Sequence, residues 1–229
     1  MSERLCHLHD LGRIGHAEAE VMQQRLVAAK REGAICDCLL LVEHDPVVTL
    51  GSASDDPADE LSPDLLAAAG VEVRRVSRGG RATFHGPGQI VGYPIVDLRE
   101  HRQDLHWYLR SLEEVLIAAL KQFDYPARRS EGLTGVWVGD RKVASIGIAV
   151  RSWVTWHGFA LNLSCDSHWW QMLDPCGLRP EQMASLADLD GDTPSRTELS
   201  DTIVACFGEV FDLRMVAKSR KELFASTVF

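Results

Sequence analysis

The spacing of apolar and polar residues along the chain predicts alternating helices and strands. Apolar positions recur at helical spacing over 16–32, which stops before Gly33, and over 104–123. The predicted helices cover 16–32, a short segment from Ser62-Pro63-Asp64 to Gly70, 104–123 and 197–211; the predicted strands cover 35–43, 71–76, 90–96, 133–138, 141–150 and 154–163, with another near the C-terminus. Long helices beside hairpin-connected strands favour an α+β fold with a mixed or antiparallel sheet, in a single domain over residues 1–229.

Composition narrows the class of protein. The chain has 229 residues, of which 45% are hydrophobic and 25% charged, as expected for a globular protein with a real core. No apolar run approaches the roughly 18 residues that span a bilayer. The acidic residues Glu3, Asp10 and Glu18 suit neither a secretory signal nor a transit peptide, so we expect a cytoplasmic protein that does not bind membranes. A net charge of −9 argues against a nucleic-acid partner.

The positive charge is concentrated locally. Arg74, Arg75, Arg78 and Arg81 fall within eight residues that contain no acidic residue. Such a basic rim on an acidic protein would dock an acidic partner. The alternative is that these arginines pair with carboxylates elsewhere in the chain or solvate one face of a strand.

The six cysteines form neither a disulfide framework nor a zinc motif. The chain is not a small secreted domain, and it contains no CxxC or HExxH, so we expect reduced thiols and no metal. Cys36 and Cys38 fall in a predicted buried strand, and Cys206 falls in a predicted helix. Cys176 differs, because Pro175 and Gly177 place it in a turn where backbone N–H groups can point at the sulfur. A structural role and a catalytic role are both open for Cys176 from local sequence.

The segment RGGRATFHGPGQ, residues 78–89, is the most unusual part of the chain. Its glycines predict backbone that turns with positive φ or approaches another group closely. It matches neither the GxxxxGK[ST] nor the GxGxxG pattern of nucleotide-binding loops. The alternative is a glycine-rich hairpin connection between the strands predicted on either side.

A second segment, residues 139–162, combines a lysine with small residues in predicted strands. Gly139-Asp140 predicts a tight turn, and Lys142 follows in an apolar strand where its side chain points either inward or outward. Small residues in Ser145-Ile146-Gly147 and Gly158-Phe159-Ala160 would let a ligand or another backbone come close. The alternative is a plain hairpin with a solvated lysine.

These segments together carry a family resemblance. RGGRATFHGPGQ, then KVASIGIAVRSWVTWHGFALN, then PCG, in this order, resembles the octanoyltransferases of lipoate synthesis. The resemblance extends to LLVEH and PVVTLG in the first third of the chain. Two positions depart from the family pattern, with His16 where a tyrosine is expected and Ser52 where arginine is more usual.

The resemblance implies the mixed-sheet fold of lipoate and biotin protein ligases and a Cys176 nucleophile assisted by Lys142. It also implies a set of substrate-binding residues: Arg78, Gly79, Gly80, Arg81, Ala82, Thr83, Phe84, His85, Ser145, Ile146, Gly147, Gly158, Phe159 and Ala160. Among these, the apolar and small side chains would line a tunnel for the acyl chain. His85 competes with Lys142 for the role of base, and we favour binding or positioning for it.

The implied donor is octanoyl-acyl carrier protein, and the implied acceptors are apo lipoyl domains of 2-oxoacid dehydrogenase complexes and the glycine cleavage H protein. A thioester donor is already activated, so no cofactor and no ATP are expected. Two alternatives stay open. An ATP-dependent lipoate or biotin ligase would not need Cys176, and a noncatalytic acyl-carrier-binding protein would retain no acyl group.

Overall fold

Two β-sheets and five α-helices organise the part of the chain that the computed structural model describes, namely residues 4–54, 63–172, 179–189 and 191–225. The helices are α1 (His16–Arg31), α2 (Pro63–Ala69), α3 (Leu105–Lys121), α4 (Arg196–Phe211) and α5 (Arg220–Ala225). The strands are β1 (Leu5–Ile14), β2 (Asp37–His44), β3 (Val47–Leu50), β4 (Glu72–Arg75), β5 (Ala82–His85), β6 (Gln89–Ile95), β7 (Ala127–Arg128), β8 (Val136–Val138), β9 (Arg141–Arg151), β10 (Val154–Asn162) and β11 (Arg214–Ala217).

The larger sheet has eight strands in the order β11-β1-β2-β6-β10-β9-β8-β7. Strand β1 pairs in parallel with both β11 and β2, and the remaining neighbours pair antiparallel. The predicted α+β fold with a mixed sheet is therefore confirmed.

Strand β2 shows how the larger sheet divides the core. Because successive side chains of a strand point to opposite faces, Leu39 and Leu41 join the hydrophobic cluster that includes Leu112 of α3 and Phe207 of α4. Leu40 belongs to a second cluster on the other face, with residues of α1. Fully burying one such leucine stabilises the fold by about 2 kcal/mol. Helices α3 and α4 thus cover one face of the sheet, and α1 covers the other.

The smaller sheet has the order β4-β3-β5 and corrects one expectation. Residues 82–85 of the glycine-rich segment form strand β5, which pairs antiparallel with β3. Strand β4 pairs with β3, whereas β6 lies in the larger sheet between β2 and β10. The interpretation of residues 78–89 as a hairpin connection between their flanking strands is therefore wrong, and the segment instead crosses from one sheet to the other.

Most predicted element ends are close to the observed ones. Gly33 and Gly70 have φ of 72° and 65°, in the left-handed region that favours glycine after a helix. Asp104 caps α3 by accepting the Trp107 N–H at 3.0 Å. Cys38 and Cys206 are buried as expected, but Cys36 precedes β2 and is half-buried, so its assignment to a buried strand is wrong. Within the described ranges, no helix has both the length and the apolar character needed to cross a bilayer.

Candidate active site

Two adjoining cavities lie between β5 of the smaller sheet and strands β9 and β10 of the larger one. The first, which we call the proximal chamber, has a volume of about 340 Å³ and includes Lys142 in its wall. The second, the distal chamber, has a volume of about 360 Å³ and includes His16. Both walls contain Thr83, Ser145 and Ala160, so the chambers meet at these residues. Both volumes include space that is open to solvent.

Lys142 is held inside the protein, which decides between the two orientations that the sequence left open. Its residue is only 7% exposed, and Nζ lies 5.2 Å from the centre of the Trp137 ring. A ring face at this distance attracts an ammonium group. Gly135 makes room for the side chain, since a Cβ there would lie 2.7 Å from Cε of Lys142.

A chain of hydrogen bonds runs through the wall of the proximal chamber. The Gln89 side-chain amide donates to the Phe84 carbonyl at 3.1 Å and to Oδ1 of Asn162 at 3.0 Å. The side chain of Asn162 donates in turn to the carbonyl of Ala184. The backbone N–H of Ala184 donates to the carbonyl of Lys142. Buried polar groups that are fully paired in this way hold a wall rigidly.

Three histidine side chains face the distal chamber: His16 from α1, His85 from β5 and His157 from β10. The rings of His16 and His85 stack with centroids 6.0 Å apart. Burial lowers the pKa of His16 to about 3 and that of His157 to about 4, and it lowers the pKa of His85 well below its ordinary value. These three side chains are therefore polar but uncharged at neutral pH.

Hydrogen bonds define the tautomers of the neighbouring rings. Nδ1 of His85 lies 3.2 Å from Oε1 of Gln89, an acceptor, so Nδ1 carries the proton. Nδ1 of His44 donates to the carbonyl of Ile14 at 2.8 Å, which leaves Nε2 to accept the Tyr93 hydroxyl at 2.7 Å. Both ring nitrogens of His44 are therefore occupied, whereas the Nδ1 proton of His85 leaves the Nε2 lone pair of that ring able to accept a proton or a hydrogen bond.

Arg78 is an internal structural residue, which corrects the predicted basic rim. It is 6% exposed and donates to the carbonyl of Thr49 at 2.7 Å and to that of Arg81 at 2.9 Å. Its aliphatic carbons contact Gly147, where a Cβ would lie 2.9 Å from Cδ of Arg78. Five donors in a fixed fork suit it to holding several carbonyls at once.

Ion pairs with carboxylates further reduce the positive charge available on the predicted basic rim. Arg74 forms an ion pair with Glu72 at 2.8 Å and a longer one with Glu20 at 3.5 Å. The alternative in which these arginines pair with nearby acids therefore holds for Arg74. Arg75 is exposed, and Arg81 is half-buried.

The structure brings most of the predicted substrate-binding residues together around the two chambers. Those in the chamber walls are Arg78, Ala82, Thr83, Phe84, His85, Ser145, Ile146, Gly147, Gly158, Phe159 and Ala160. Gly79, Gly80 and Arg81 are not among the described wall residues. Contact with substrate stays a prediction for all fourteen residues. Gly79 instead connects the two sheets, since its N–H donates to the carbonyl of Ile148 at 2.9 Å.

Cys176 lies outside the described residues, but the five described cysteines narrow the choice of nucleophile. Burial raises the pKa of every one of them, and that of Cys165 reaches about 12. A thiol with a raised pKa holds little of the reactive thiolate near neutral pH. None of the described cysteines is thus suited to nucleophilic attack. No group of three or more metal-binding side chains occurs within the described ranges either.

Sequence reasoning left several wall residues without a role, namely His16, Gln89, Tyr93, His157, Asn162, Trp170 and Met183. His16 was noticed only as a departure from the family pattern. His157 sits within β10 and has φ of 54°, which is unusual for a residue other than glycine and which only the structure reveals.

The neutral histidines predict a specific loss of stability in acid. The folded protein resists protonation of His16 and His157 down to pH of about 3 and 4, whereas the unfolded chain takes up these protons below pH of about 6.5. The free energy of unfolding should therefore fall by up to about 1 kcal/mol per histidine for each pH unit between about 6 and 4. Between pH 7 and pH 5, the free energy of unfolding measured with urea should therefore fall less for His16→Phe than for the unmodified protein.

His106 provides the control for this experiment because it is exposed on the first turn of α3. His106→Phe should keep the acid sensitivity of the unmodified protein. An equal loss of stability in the His16 and His106 variants would contradict the prediction.

Comparison with known proteins places these features in a family. The model of the lipoyl protein ligase A/B catalytic domain matches residues 16–208. An octanoyltransferase of Solibacter usitatus is 43% identical over 213 residues, which are 93% of this chain and 96% of that relative. One of Gloeobacter violaceus is 44% identical over 214 residues and 91% of each chain. A bi-partite lipoate protein ligase of Thermoplasma acidophilum shares the fold, with a TM-score of 0.78 at 18% identity over 98% of this chain and 90% of that one.

Proposed function

This chain belongs to the lipoyl protein ligase A/B catalytic domain family and to its octanoyltransferases, which are acyltransferases, and we propose which donor, acceptor and residues it uses. The donor is the octanoyl thioester of an acyl carrier protein, and a lipoyl thioester is the second possible donor. The acceptor is a lysine of an apo lipoyl domain, as in 2-oxoacid dehydrogenase complexes or the glycine cleavage H protein. Residues 1–229 act as one catalytic domain in the cytoplasm.

The observation that carries this proposal is the placement of Lys142. Its ammonium side chain stands in the wall of one chamber, and the adjoining chamber extends away from it between two strands. An acyl chain in the distal chamber would thus present its carbonyl carbon toward Lys142. Burying seven or so methylenes would stabilise the bound chain by at most about 6 kcal/mol.

In the first half-reaction, the Cys176 thiolate attacks the thioester carbonyl of the donor. The new C–S bond forms as the bond to the carrier sulfur breaks, and the departing thiolate takes a proton from Lys142. An ammonium at about 4 Å in an effective dielectric near 20 stabilises a thiolate by roughly 4 kcal/mol, or about three pKa units. That stabilisation would make the Cys176 thiolate dominant at neutral pH.

In the second half-reaction, the ε-amine of the acceptor lysine attacks the acyl-enzyme. The C–N bond forms, the C–S bond to Cys176 breaks, and neutral Lys142 takes the proton from the attacking nitrogen. Both steps use the energy of the original thioester, so ATP has no role. The position of His85 supports a binding role for it, because it lines the distal chamber and its Nδ1 proton is committed to Gln89.

The acidic carrier would approach a smaller basic surface than the sequence suggested. Arg78 is buried and Arg74 is ion-paired, so Arg75, which is exposed, is the residue of the predicted rim most available to a phosphate or carboxylate. An exposed arginine of this kind speeds encounter more than it tightens binding.

The test combines the purified protein, octanoyl-acyl carrier protein and an apo lipoyl domain without ATP. We expect the intact mass of the lipoyl domain to rise by one octanoyl group. Transfer that requires free octanoate and ATP would establish the ligase alternative instead. Binding of the octanoyl carrier without any transfer would establish the noncatalytic alternative, and either result contradicts the proposal.

A further inference from the structure

A wall of four aromatic rings from four elements borders the distal chamber, with three of the rings lining it and that of His44 behind them. His16 comes from the first turn of α1, His44 from β2, His85 from β5 and Tyr93 from β6. The three histidine rings are mutual neighbours, since the centroid of His16 lies 5.3 Å from His44 and 6.0 Å from His85, and those two are 5.9 Å apart.

Within this wall, the ring of His16 differs from those of His44 and His85 in the pairing of its Nδ1 atom. His44 is fixed by hydrogen bonds to Ile14 and Tyr93, and His85 by one to Gln89. His16 is 5% exposed, yet its buried Nδ1 has no hydrogen-bond partner among the described residues. Leaving a buried polar atom unpaired is unfavourable. The Nδ1 atom thus adds no hydrogen bond to the wall, and the contribution of the His16 ring there is the space that it fills.

Removing the ring of His16 would open the chamber toward His44. His44 does not itself line either chamber, whereas His16 and His85 both line the distal one. The side chain of His16 thus lies between the chamber and His44, together with those of His85 and Tyr93. Because protein interiors are closely packed, a side chain in this position sets the length of the cavity.

We propose that His16 determines the length of acyl chain that the enzyme accepts, by closing the inner end of the distal chamber. This inference rests on the proposed function, because it requires that the acyl chain extend from Lys142 through Ser145 and Ala160 into that chamber. The reacting carbonyl stays near Lys142, so each extra methylene must be placed at the His16 end. His16 is accordingly a specificity residue that contacts the chain terminus, remote from the bonds that change.

The experiment is a competition between octanoyl-, decanoyl- and dodecanoyl-acyl carrier protein in one reaction, with the products on the lipoyl domain resolved by mass. The ratio of products reports the ratio of kcat/KM and does not depend on how much of a variant is folded. In His16→Ala we expect the ratio of decanoyl to octanoyl transfer to rise about tenfold, the effect of burying two more methylenes. His16→Val leaves a larger side chain than His16→Ala and should give a smaller rise.

Two variants serve as controls for size and for position. His16→Phe keeps a ring in place without the polar atoms and should leave the ratio within about twofold of the unmodified protein. Gln24→Ala, at an exposed position of the same helix, should leave it unchanged. A shift in His16→Phe equal to that in His16→Ala would show that ring volume is not the cause and would overturn the proposal.

An unchanged ratio in His16→Ala, with octanoyl transfer intact, would overturn the chain-length role alone and leave the proposed function standing. Absence of transfer from every donor by the unmodified protein would overturn the proposed function and this inference with it. The two failures are thus distinguished by the unmodified protein in the same experiment.

Discussion

Replacement of Cys176 by alanine is expected to abolish octanoyl transfer while leaving the fold intact. The proposed route passes through a thioester on this sulfur, and no described cysteine has a thiol pKa low enough to take its place. Loss of a nucleophile typically costs a thousandfold or more, so we expect a decrease in kcat/KM of at least about 10³. Cys176→Ser should be nearly as inactive, because a hydroxyl is a weaker nucleophile at the same pH.

Intact-protein mass spectrometry after incubation with octanoyl-acyl carrier protein checks the intermediate directly. The unmodified protein should gain one octanoyl group that hydroxylamine removes, and Cys176→Ala should gain none. Cys36→Ala is the matched control, because Cys36 is a half-buried thiol outside both chambers, and it should still form the adduct. A hydroxylamine-labile adduct on Cys176→Ala, or appreciable turnover by that variant, would exclude Cys176 as the nucleophile.

Replacement of Lys142 by alanine is expected to have the second-largest effect. The variant loses the ammonium that stabilises the thiolate and the group that moves protons in both half-reactions. General acid–base catalysis contributes about 10² to 10⁴, so we expect the rate to fall by that factor. Single-turnover measurements of adduct formation and of transfer to the lipoyl domain should both be slower.

Lys142→Arg separates charge from proton transfer. An arginine keeps the positive charge near the thiolate, but it does not release its proton near neutral pH and so never becomes the neutral base that the attacking amine needs. We expect adduct formation to survive better than transfer in this variant. Lys121→Ala, at an exposed position of α3, is the control and should be fully active. A loss below about tenfold in Lys142→Ala would move the role of base to His85.

The elements most accurately predicted were those with strong local signals. The apolar spacing and the flanking Gly33 defined α1 closely, and Asp104 marked the start of α3. Strand β1 was not predicted, because His7, His9 and Asp10 interrupt its apolar pattern. The parallel neighbours of β1, strands β2 and β11, are far away in sequence, and their pairing is what makes the segment a strand.

Strand β5 shows the same limit inside the functional segment. Its residues, Ala82–His85, lie between glycines and looked like loop, but β3 supplies a partner strand from more than thirty residues earlier. The turn between β9 and β10 shows the same limit, because Ser152 and Trp153 have positive φ although neither is a glycine. Only the pairing of the two long strands accounts for that backbone.

The sequence by itself determined the segments that we propose for the chemistry, because glycine, proline, cysteine and lysine constrain the backbone and the reactivity locally. The tertiary structure alone decided which side chains of those segments meet. It placed Arg78 inside the protein and not on a basic rim, and it turned Lys142 inward over Trp137. It also brought His16 from α1 against His85 from β5, which are nearly seventy residues apart. Contacts of this kind depend on how two sheets and a helix pack around one cavity, and no local pattern records that packing.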